Sequence, residues 1–185
     1  MKNLLLALMM FAATAVAANA QEVAISYGAY TQMDAMNCHK GFSKVNAAWG
    51  GVNFSLYIPV AKGVKIGPSY SYSSAFTPAS DYVFEDFPEL GVYSLKSKVA
   101  YHTLLLNCKV NYYKNSIVTL YAHGGVGAVI SHMMPKYGSS YNKGYFAFQA
   151  NPIGAEVEFM PGAAIFGELG FGAQGLIQVG AKYAF

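Results

Sequence analysis

The chain has 185 residues, of which 54% are hydrophobic, 15% aromatic and only 11% charged, and its formal net charge is +3. An ordinary soluble domain carries about 25% charged residues, so this composition argues against a disordered chain and against a well-solvated soluble surface. All the basic residues are lysine, and so small a net charge over this length argues against a nucleic-acid-binding protein. The length suits one domain.

Residues 1–20 have the pattern of a secretory signal peptide. Lys2 precedes an apolar stretch over residues 4–16, and the small residues Ala18 and Ala20 stand at the third and first positions before a cleavage point. The alternative, a retained anchor helix, is disfavoured because the apolar stretch is too short to span a membrane. We therefore predict export and cleavage after Ala20.

Beyond the signal peptide, apolar and polar residues alternate along several stretches of the chain. A period of two places the two sets on opposite faces of a β-strand. In residues 101–112, apolar residues on one face alternate with Thr103, Asn107 and Lys109 on the other, and Leu105 interrupts the polar set. The other stretches are residues 51–58, 118–130 and 177–185. This pattern predicts an all-β protein.

Short turns and longer connections follow one another in turn. Short turns are predicted at residues 59–63, 114–116 and 160–162, longer connections at 33–44, 75–92 and 133–144, and a brief one at 172–175. This order predicts an eight-stranded antiparallel transmembrane β-barrel, an up-and-down meander with tight periplasmic turns and longer outside loops. A β-sandwich or a soluble lipocalin-type barrel is the alternative, but its outer face would need more charge. Rings beside the short turns predict an aromatic girdle at the headgroup level, made of Tyr57, Tyr112, Tyr113, Phe159 and Tyr183.

The end of the chain carries a specific pattern. Gln178 is followed two residues later by Gly180, and aromatic residues stand at the third-from-last and last positions, Tyr183 and Phe185. This segment resembles the terminal β-signal of bacterial outer-membrane proteins. The resemblance implies that the barrel-assembly machinery recognises the last strand before insertion.

Residues 21–185 as a whole resemble the small eight-stranded outer-membrane barrels of the OmpX-like, OmpA-barrel-like and opacity-type family. Residues 149–154, followed by residues 168–172, are similar to segments of Bacteroidetes-type members. The resemblance implies a Gram-negative outer membrane as the location, with membrane lipid and lipopolysaccharide as neighbours.

Several charged and polar side chains are predicted to face the lumen. A charge in a narrow interior has to be paired, and the number of lumen-facing acids equals the number of lumen-facing lysines. We therefore expect a salt-bridged network that plugs the short-turn half of the barrel. A proton or ion path is the alternative. The predicted members are Lys65, Lys109, Glu156, Glu158, Glu168 and Lys182, together with Tyr121 and His123.

The sequence offers little support for an enzyme or a cofactor site. Residues 170–175 match GxGxxG as a string, but a dinucleotide site needs a following helix, and here a strand is predicted. Ser131 and His132 are adjacent, so on one strand their side chains point to opposite faces and cannot form a catalytic dyad. His102 is predicted on the outer face, away from His123. We expect no catalytic residues and no cofactor.

The loops and cysteines leave questions about ligands open. Met33, Met36, Cys38 and His39 lie in the first outside loop, where metal or haem binding is an alternative to a simple apolar contact surface. Cys108 is predicted to face lipid, and no disulfide with Cys38 is expected because the membrane separates the two. Acids interleaved with aromatic residues in the second loop suit a recognition surface, a calcium-bridged contact with lipopolysaccharide or simple solvation; they are Asp81, Glu85, Asp86 and Glu89.

Taken together, the sequence predicts a monomeric integral outer-membrane barrel with periplasmic termini. Its expected role is structural or interactive, with loops that meet surface polysaccharide or a host ligand. A small pore or transporter is the alternative, and a lipid-modifying enzyme is less favoured. We expect no nucleic-acid partner.

Overall fold

The computed structural model describes residues 21–34, 50–76, 80–82, 93–95, 98–134 and 141–185. These residues form ten β-strands: β1 (Glu22–Ala29), β2 (Gly51–Ala61), β3 (Val64–Phe76), β4 (Ser80–Tyr82), β5 (Tyr93–Leu95), β6 (Lys98–Lys114), β7 (Val118–Met134), β8 (Tyr141–Met160), β9 (Ala163–Gly172) and β10 (Ile177–Ala184). The described residues contain no helix that is long and apolar enough to cross a membrane. The predicted signal peptide, with Ala18 and Ala20, lies outside the described residues.

Eight of the strands close into one antiparallel barrel in the order β1-β10-β9-β8-β7-β6-β3-β2. Strand β1 pairs with β10 to close the ring, and Ser26 lies opposite Gly180 at this seam. The pairing continues one residue beyond the strands, since the Phe185 N–H donates to the Gln21 carbonyl at 2.9 Å across the seam and the Gln21 N–H donates to the Tyr57 carbonyl of β2 at 3.1 Å. The predicted all-β, eight-stranded, up-and-down barrel is confirmed.

The two ends of the barrel differ in the length of their connections. At one end, here called the short-turn end, tight turns join β2 to β3, β6 to β7 and β8 to β9. Gly63 and Gly162 occupy two of these turns with φ values of 77° and 80°, a left-handed backbone that glycine adopts without steric cost. In the third turn the Asn115 side-chain oxygen accepts from the N–H groups of Ile117 at 2.8 Å and Val118 at 2.6 Å. The opposite end is called the long-connection end.

One long connection contains structure that the alternation pattern did not predict. Strands β4 and β5 form a separate two-stranded antiparallel sheet, in which Ser80 pairs with Leu95 and Tyr82 pairs with Tyr93. Acidic and apolar residues are mixed without regular order in this part of the sequence, and each strand is too short to show a period of two. The sheet lies, along the chain, between barrel strands β3 and β6.

The two faces of the barrel wall follow the predicted alternation. In β6 the side chains of Thr103, Leu105 and Asn107 are buried in the lumen, whereas Leu104 and Leu106 are exposed on the outer wall. The outer wall is apolar, as contact with lipid requires. Four members of the predicted girdle are exposed beside the short turns: Tyr112, Tyr113, Phe159 and Tyr183.

Tyr57 is a correction to the predicted girdle. Its side chain is buried in the lumen, 4% exposed, and its hydroxyl lies 3.4 Å from His123 Nε2. The physical reason is the period of two itself, because Tyr57 shares a strand face with the buried residues Asn53 and Ser55. An aromatic residue near a turn joins the girdle only when its strand position faces lipid.

Gly154 makes room in the lumen for the ring of Tyr121. The two residues are paired across β7 and β8, and a Cβ added to Gly154 would lie 2.6 Å from two carbon atoms of that ring. Tyr121 cannot easily withdraw, because it is fully buried and its hydroxyl donates to Glu168 at 2.7 Å. Gly154→Ala is therefore expected to lower the free energy of unfolding by about 1–3 kcal/mol through overpacking, measured by urea unfolding of the refolded barrel in lipid vesicles.

Gly167 provides the matched control on the neighbouring strand. A Cβ added there has its nearest neighbour, the Gln178 carbonyl oxygen, at an ordinary 3.7 Å. Gly167→Ala is expected to leave the unfolding midpoint nearly unchanged. If both variants lose the same free energy of unfolding, backbone flexibility, and not space for the Tyr121 ring, is the reason for glycine at position 154.

Candidate functional site

The lumen holds three successive layers of buried side chains. The charged layer lies nearest the short-turn end and contains Glu22, Lys65, Lys109, Glu156 and Lys182. The polar layer follows and is centred on Glu168 and His123. The apolar layer lies toward the long-connection end.

Glu22 is the centre of the charged layer. Its carboxylate accepts from Lys109 at 3.1 Å, from Lys182 at 3.1 Å and from Lys65. Glu156 accepts from Lys109 at 3.0 Å and from Lys182 at 2.7 Å. The side chains of Glu22 and Lys109 are only 1% and 4% exposed. Every buried charge of this layer is therefore paired, which offsets the cost of removing it from water.

The charged layer differs from the predicted network in three acids, Glu158, Glu22 and Glu168, the last of which lies in the polar layer. Glu158 is a correction, because it is exposed at the mouth of the barrel, and within the described part of the chain its one hydrogen bond is from the Gly162 N–H, at 3.2 Å. It shares a strand face with Glu156, but its position is one residue pair nearer the turn and so outside the closed part of the lumen. Glu22 was not predicted, although Glu22, Ala24 and Ser26 alternate inward along β1.

The polar layer is organised around the Glu168 carboxylate. The Tyr121 hydroxyl donates to it at 2.7 Å, His123 Nδ1 lies 3.0 Å from its second oxygen, and the Asn151 amide also donates to it. The Lys109 ammonium lies 4.0 Å from the centre of the Tyr121 ring, so a cation–π contact joins this layer to the charged one. Glu168, Tyr121 and His123 thus lie in the lumen as predicted, but no lysine bonds Glu168 directly among the described residues.

The connection between β9 and β10 folds into the lumen. Gln174 is 1% exposed; its side-chain amide donates to Ser69 Oγ across the barrel at 3.0 Å, and the Gln174 backbone carbonyl accepts from the Asn53 side-chain amide at 3.1 Å. Gly172 and Gly175 permit the inward turn with φ values of 140° and 120°. The side chains of this brief connection therefore help to fill the lumen of the barrel. The GxGxxG string is a strand connection, followed by a strand.

The apolar layer fills the lumen on the long-connection side of Gln174. Val129 and Ala147 have no exposed surface at all. Leu105, which interrupts the polar alternation of β6, belongs to this layer and explains the interruption. A barrel of eight strands has a narrow interior, and the described side chains fill its cross-section. The cluster consists of Met33, Ala75, Val99, Tyr101, Leu105, Val129, Ala147 and Ala173, with Tyr145 packed against it.

Side chains considered for nucleophilic catalysis do not come together. Ser131 is buried in the lumen, whereas the neighbouring His132 lies on the other face, with Nδ1 2.5 Å from Asn142 Oδ1. His102 lies on the outer wall as predicted, and its Nδ1 is 2.7 Å from the Tyr70 hydroxyl. These contacts give each imidazole a local polar partner within the wall.

Residues considered for metal or haem binding fall partly outside the described residues. Met33 is buried in the apolar layer, so it does not belong to an exposed contact loop. Met36, Cys38 and His39 lie outside the described residues, and so does the side chain of each acid of the second loop. Among the described side chains, no group of three or more His, Cys, Asp and Glu could hold a metal ion. Cys108 is exposed on the outer wall, where the sequence placed it.

The last strand places its four predicted signal residues on both faces of the wall. Gln178 points into the lumen, where its side-chain oxygen accepts from the Asn53 amide at 3.2 Å. Gly180 lies on the same face, two residues on. Tyr183 and Phe185 are exposed on the outer wall and contact each other edge to face, with ring centres 5.1 Å apart. Recognition of this strand by the assembly machinery stays a prediction.

No protein-family model and no curated protein matches this chain. Among solved structures, the crystal structure of Ail, the attachment invasion locus protein of Yersinia pestis, in complex with the heparin analogue sucrose octasulfate, is similar over 89% of this chain and 98% of that chain, with 15% identity and a TM-score of 0.51. A second crystal structure of Ail is 15% identical over 90% of this chain and 99% of that chain, with a TM-score of 0.46. The backbone structure of the Yersinia pestis outer membrane protein Ail in a phospholipid nanodisc is 19% identical over 89% and 99%, with a TM-score of 0.41. The first of these likenesses shows that the chain has the fold of a small eight-stranded outer-membrane barrel.

Proposed function

We propose that this protein is an integral outer-membrane barrel, not an enzyme, whose function lies in contacts made by its long-connection end. The observation that carries the proposal is the filled lumen. Tyr121 and Val129, in two different layers, have no exposed surface. Because the lumen is filled and the outer wall suits lipid, the long connections are the extended surface that the barrel offers to large partners.

The proposed orientation places the short-turn end and both chain termini in the periplasm. Small outer-membrane barrels have short periplasmic turns and longer outside loops. The signal-peptide pattern of residues 1–20 supports export. A closed barrel leaves no unpaired strand edge, so it satisfies its backbone in lipid as a monomer.

The chemistry of the second long connection favours an anionic partner bridged by calcium. Asp81 lies in strand β4, and Glu85, Asp86 and Glu89 follow before strand β5. Carboxylate oxygens are preferred Ca²⁺ ligands, and lipopolysaccharide offers phosphate oxygens for the remaining positions. Ail binds a heparin analogue in its crystal structure, so sucrose octasulfate is a useful second probe for this chain.

A binding experiment with purified lipopolysaccharide tests this proposal. The refolded barrel in nanodiscs is expected to bind lipopolysaccharide vesicles in the presence of Ca²⁺ and to release them on addition of a chelator. Replacing all four acids of the second connection by their amides is expected to abolish the calcium dependence. Glu158→Gln, which changes an exposed acid at the short-turn end, is the matched control. Binding that survives the fourfold replacement, or that ignores Ca²⁺, would contradict the calcium-bridged partner.

The rival function is a small pore, and conductance distinguishes it. In planar lipid bilayers the refolded protein is expected to give no stable open channels, because the polar and apolar layers block the lumen. The control is the same preparation assayed by gel migration with and without heating, since a folded barrel migrates differently from the unfolded chain. Reproducible channels from folded protein would overturn the filled-lumen argument and with it the surface role.

A further inference from the structure

A cavity of about 720 Å³ opens at the short-turn end of the barrel. Its walls come from the three short turns and the strand ends beside them, and its floor is the charged layer. We call it the vestibule. Its volume lies in the range of about 300–1,000 Å³ that is usual for small-molecule sites. Neither the proposed surface role nor the filled lumen accounts for it.

The lining of the vestibule carries more positive than negative charge. Four lysines line it, at positions 62, 65, 114 and 182, against the two acids Glu156 and Glu158. Lys182 is already bonded to two carboxylates, but the only hydrogen-bond partner that the described residues give the Lys65 ammonium is Glu22. An ammonium has three donors, and the Lys65 side chain is 23% exposed toward the vestibule. Lys65 therefore has donors left for an anion.

The type of residue indicates the type of anion. A lysine ammonium is a compact, strongly hydrated point charge that binds phosphate without bidentate geometry. The vestibule is also lined by a side chain with an unused acceptor. Asn111 is half-buried, and its side-chain oxygen, which faces away from solvent, has no hydrogen-bond partner among the described residues. Rotation of the Asn111 amide turns this oxygen into the vestibule, where a ligand hydroxyl would satisfy it.

We infer that the vestibule binds a phosphate ester that also carries a hydroxyl group, with Lys65 on the phosphate and Asn111 on the hydroxyl. Glycerol phosphate is the simplest molecule of this class. The same chemistry occurs in a free solute and in the headgroup of phosphatidylglycerol. The inference does not depend on what the long connections bind; only the periplasmic origin of the ligand rests on the orientation proposed above.

Titration by NMR tests the inference on the full barrel refolded in an uncharged maltoside detergent. Glycerol phosphate is expected to shift the amide signals of Gly63, Asn111 and Thr119 in a saturable manner, with no change at the long-connection end. Lys65→Gln is expected to weaken this binding about tenfold, as loss of a charged hydrogen bond predicts. Uncharged glycerol is expected to have no effect.

Three further variants separate ligand contact from folding. Lys62→Gln combined with Lys114→Gln removes vestibule charge without touching the charged layer, and is expected to weaken binding even if Lys65→Gln fails to fold. Asn111→Ala is expected to weaken glycerol phosphate but not inorganic phosphate. Lys143→Gln, at the other end of the barrel, is expected to bind as the parent does. Folding of each variant is checked by heat-dependent gel migration.

A second NMR experiment, with the barrel in nanodiscs, distinguishes the two sources of the ligand. If discs of phosphatidylglycerol shift the vestibule amides relative to discs of phosphatidylcholine, the occupant is a lipid headgroup; if only added glycerol phosphate shifts them, it is a free solute. Both results support the inference. Shifts that grow without saturation, that sodium chloride reproduces at equal ionic strength, or that the lysine variants leave unchanged would overturn it.

Discussion

Replacing Glu22 by glutamine is expected to lower the free energy of unfolding by about 3–5 kcal/mol, the cost of leaving buried charges without their partner. Glu22 is the carboxylate that Lys65, Lys109 and Lys182 share. In the variant Lys109 and Lys182 compete for Glu156, and Lys65 has no carboxylate within the described network. The measurement is urea unfolding of the refolded barrel in lipid vesicles.

Glu158→Gln is the control for this prediction. Glu158 lies at the same end of the barrel but is exposed, so its replacement is expected to change the unfolding free energy by no more than about 0.5 kcal/mol. Adding Lys65→Gln to Glu22→Gln is expected to recover part of the loss, because one unpaired charge is removed. If both single acid variants lose the same amount, burial of Glu22 among the lysines is not what stabilises the barrel.

Replacing Phe185 by alanine is expected to remove most of the folded protein from the outer membrane of cells while leaving refolding in vitro almost unchanged. Phe185 is exposed and contacts Tyr183 through its ring, so its side chain adds little to the stability of the wall. Its resemblance to a terminal β-signal predicts that this ring instead serves recognition by the assembly machinery. The substitution keeps the Phe185 N–H bond to Gln21, which a deletion would remove.

The control for this second prediction is Val179→Ala on the same strand. Val179 is also exposed on the outer wall but lies outside the signal positions. Heat-dependent gel migration of outer-membrane fractions reports assembly in cells, and urea midpoints report stability in vesicles. If Phe185→Ala lowers both measurements together, or if Val179→Ala impairs assembly equally, the ring is a structural residue and not a signal.

The barrel could be predicted from the sequence because two signals are local. Alternation determines which face a residue occupies, and the short turns determine where strands reverse. The β4–β5 sheet escaped prediction because strands of three residues show no alternation. The inward position of Gln174 was also not predicted. It depends on hydrogen bonds to Ser69 and Asn53, which are distant in sequence and come close only in the closed barrel.

Alternation predicts which face of the wall a side chain occupies, but it does not predict how far along the barrel axis the side chain lies. Glu156 and Glu158 share a face, yet one is buried in the charged layer and the other is exposed at the mouth. Leu105 breaks the polar alternation because inward-facing residues near the long-connection end are apolar. A period of two cannot predict this change of the lumen from charged to apolar along the barrel axis. Glu22 follows the pattern, but it is the first residue of β1, so no preceding strand residue indicates its face.

The seam between β1 and β10 has a consequence for biogenesis. Glu22 and Lys182, 160 positions apart, meet across it, so the ring closes only when both ends of the domain are present together. A chain that stops before β10 is left with two unpaired sheet edges, which lipid cannot satisfy. Such a chain does not form a smaller barrel. We expect prematurely ended products to remain in the periplasm as protease substrates, so that only molecules with both end strands persist in the membrane.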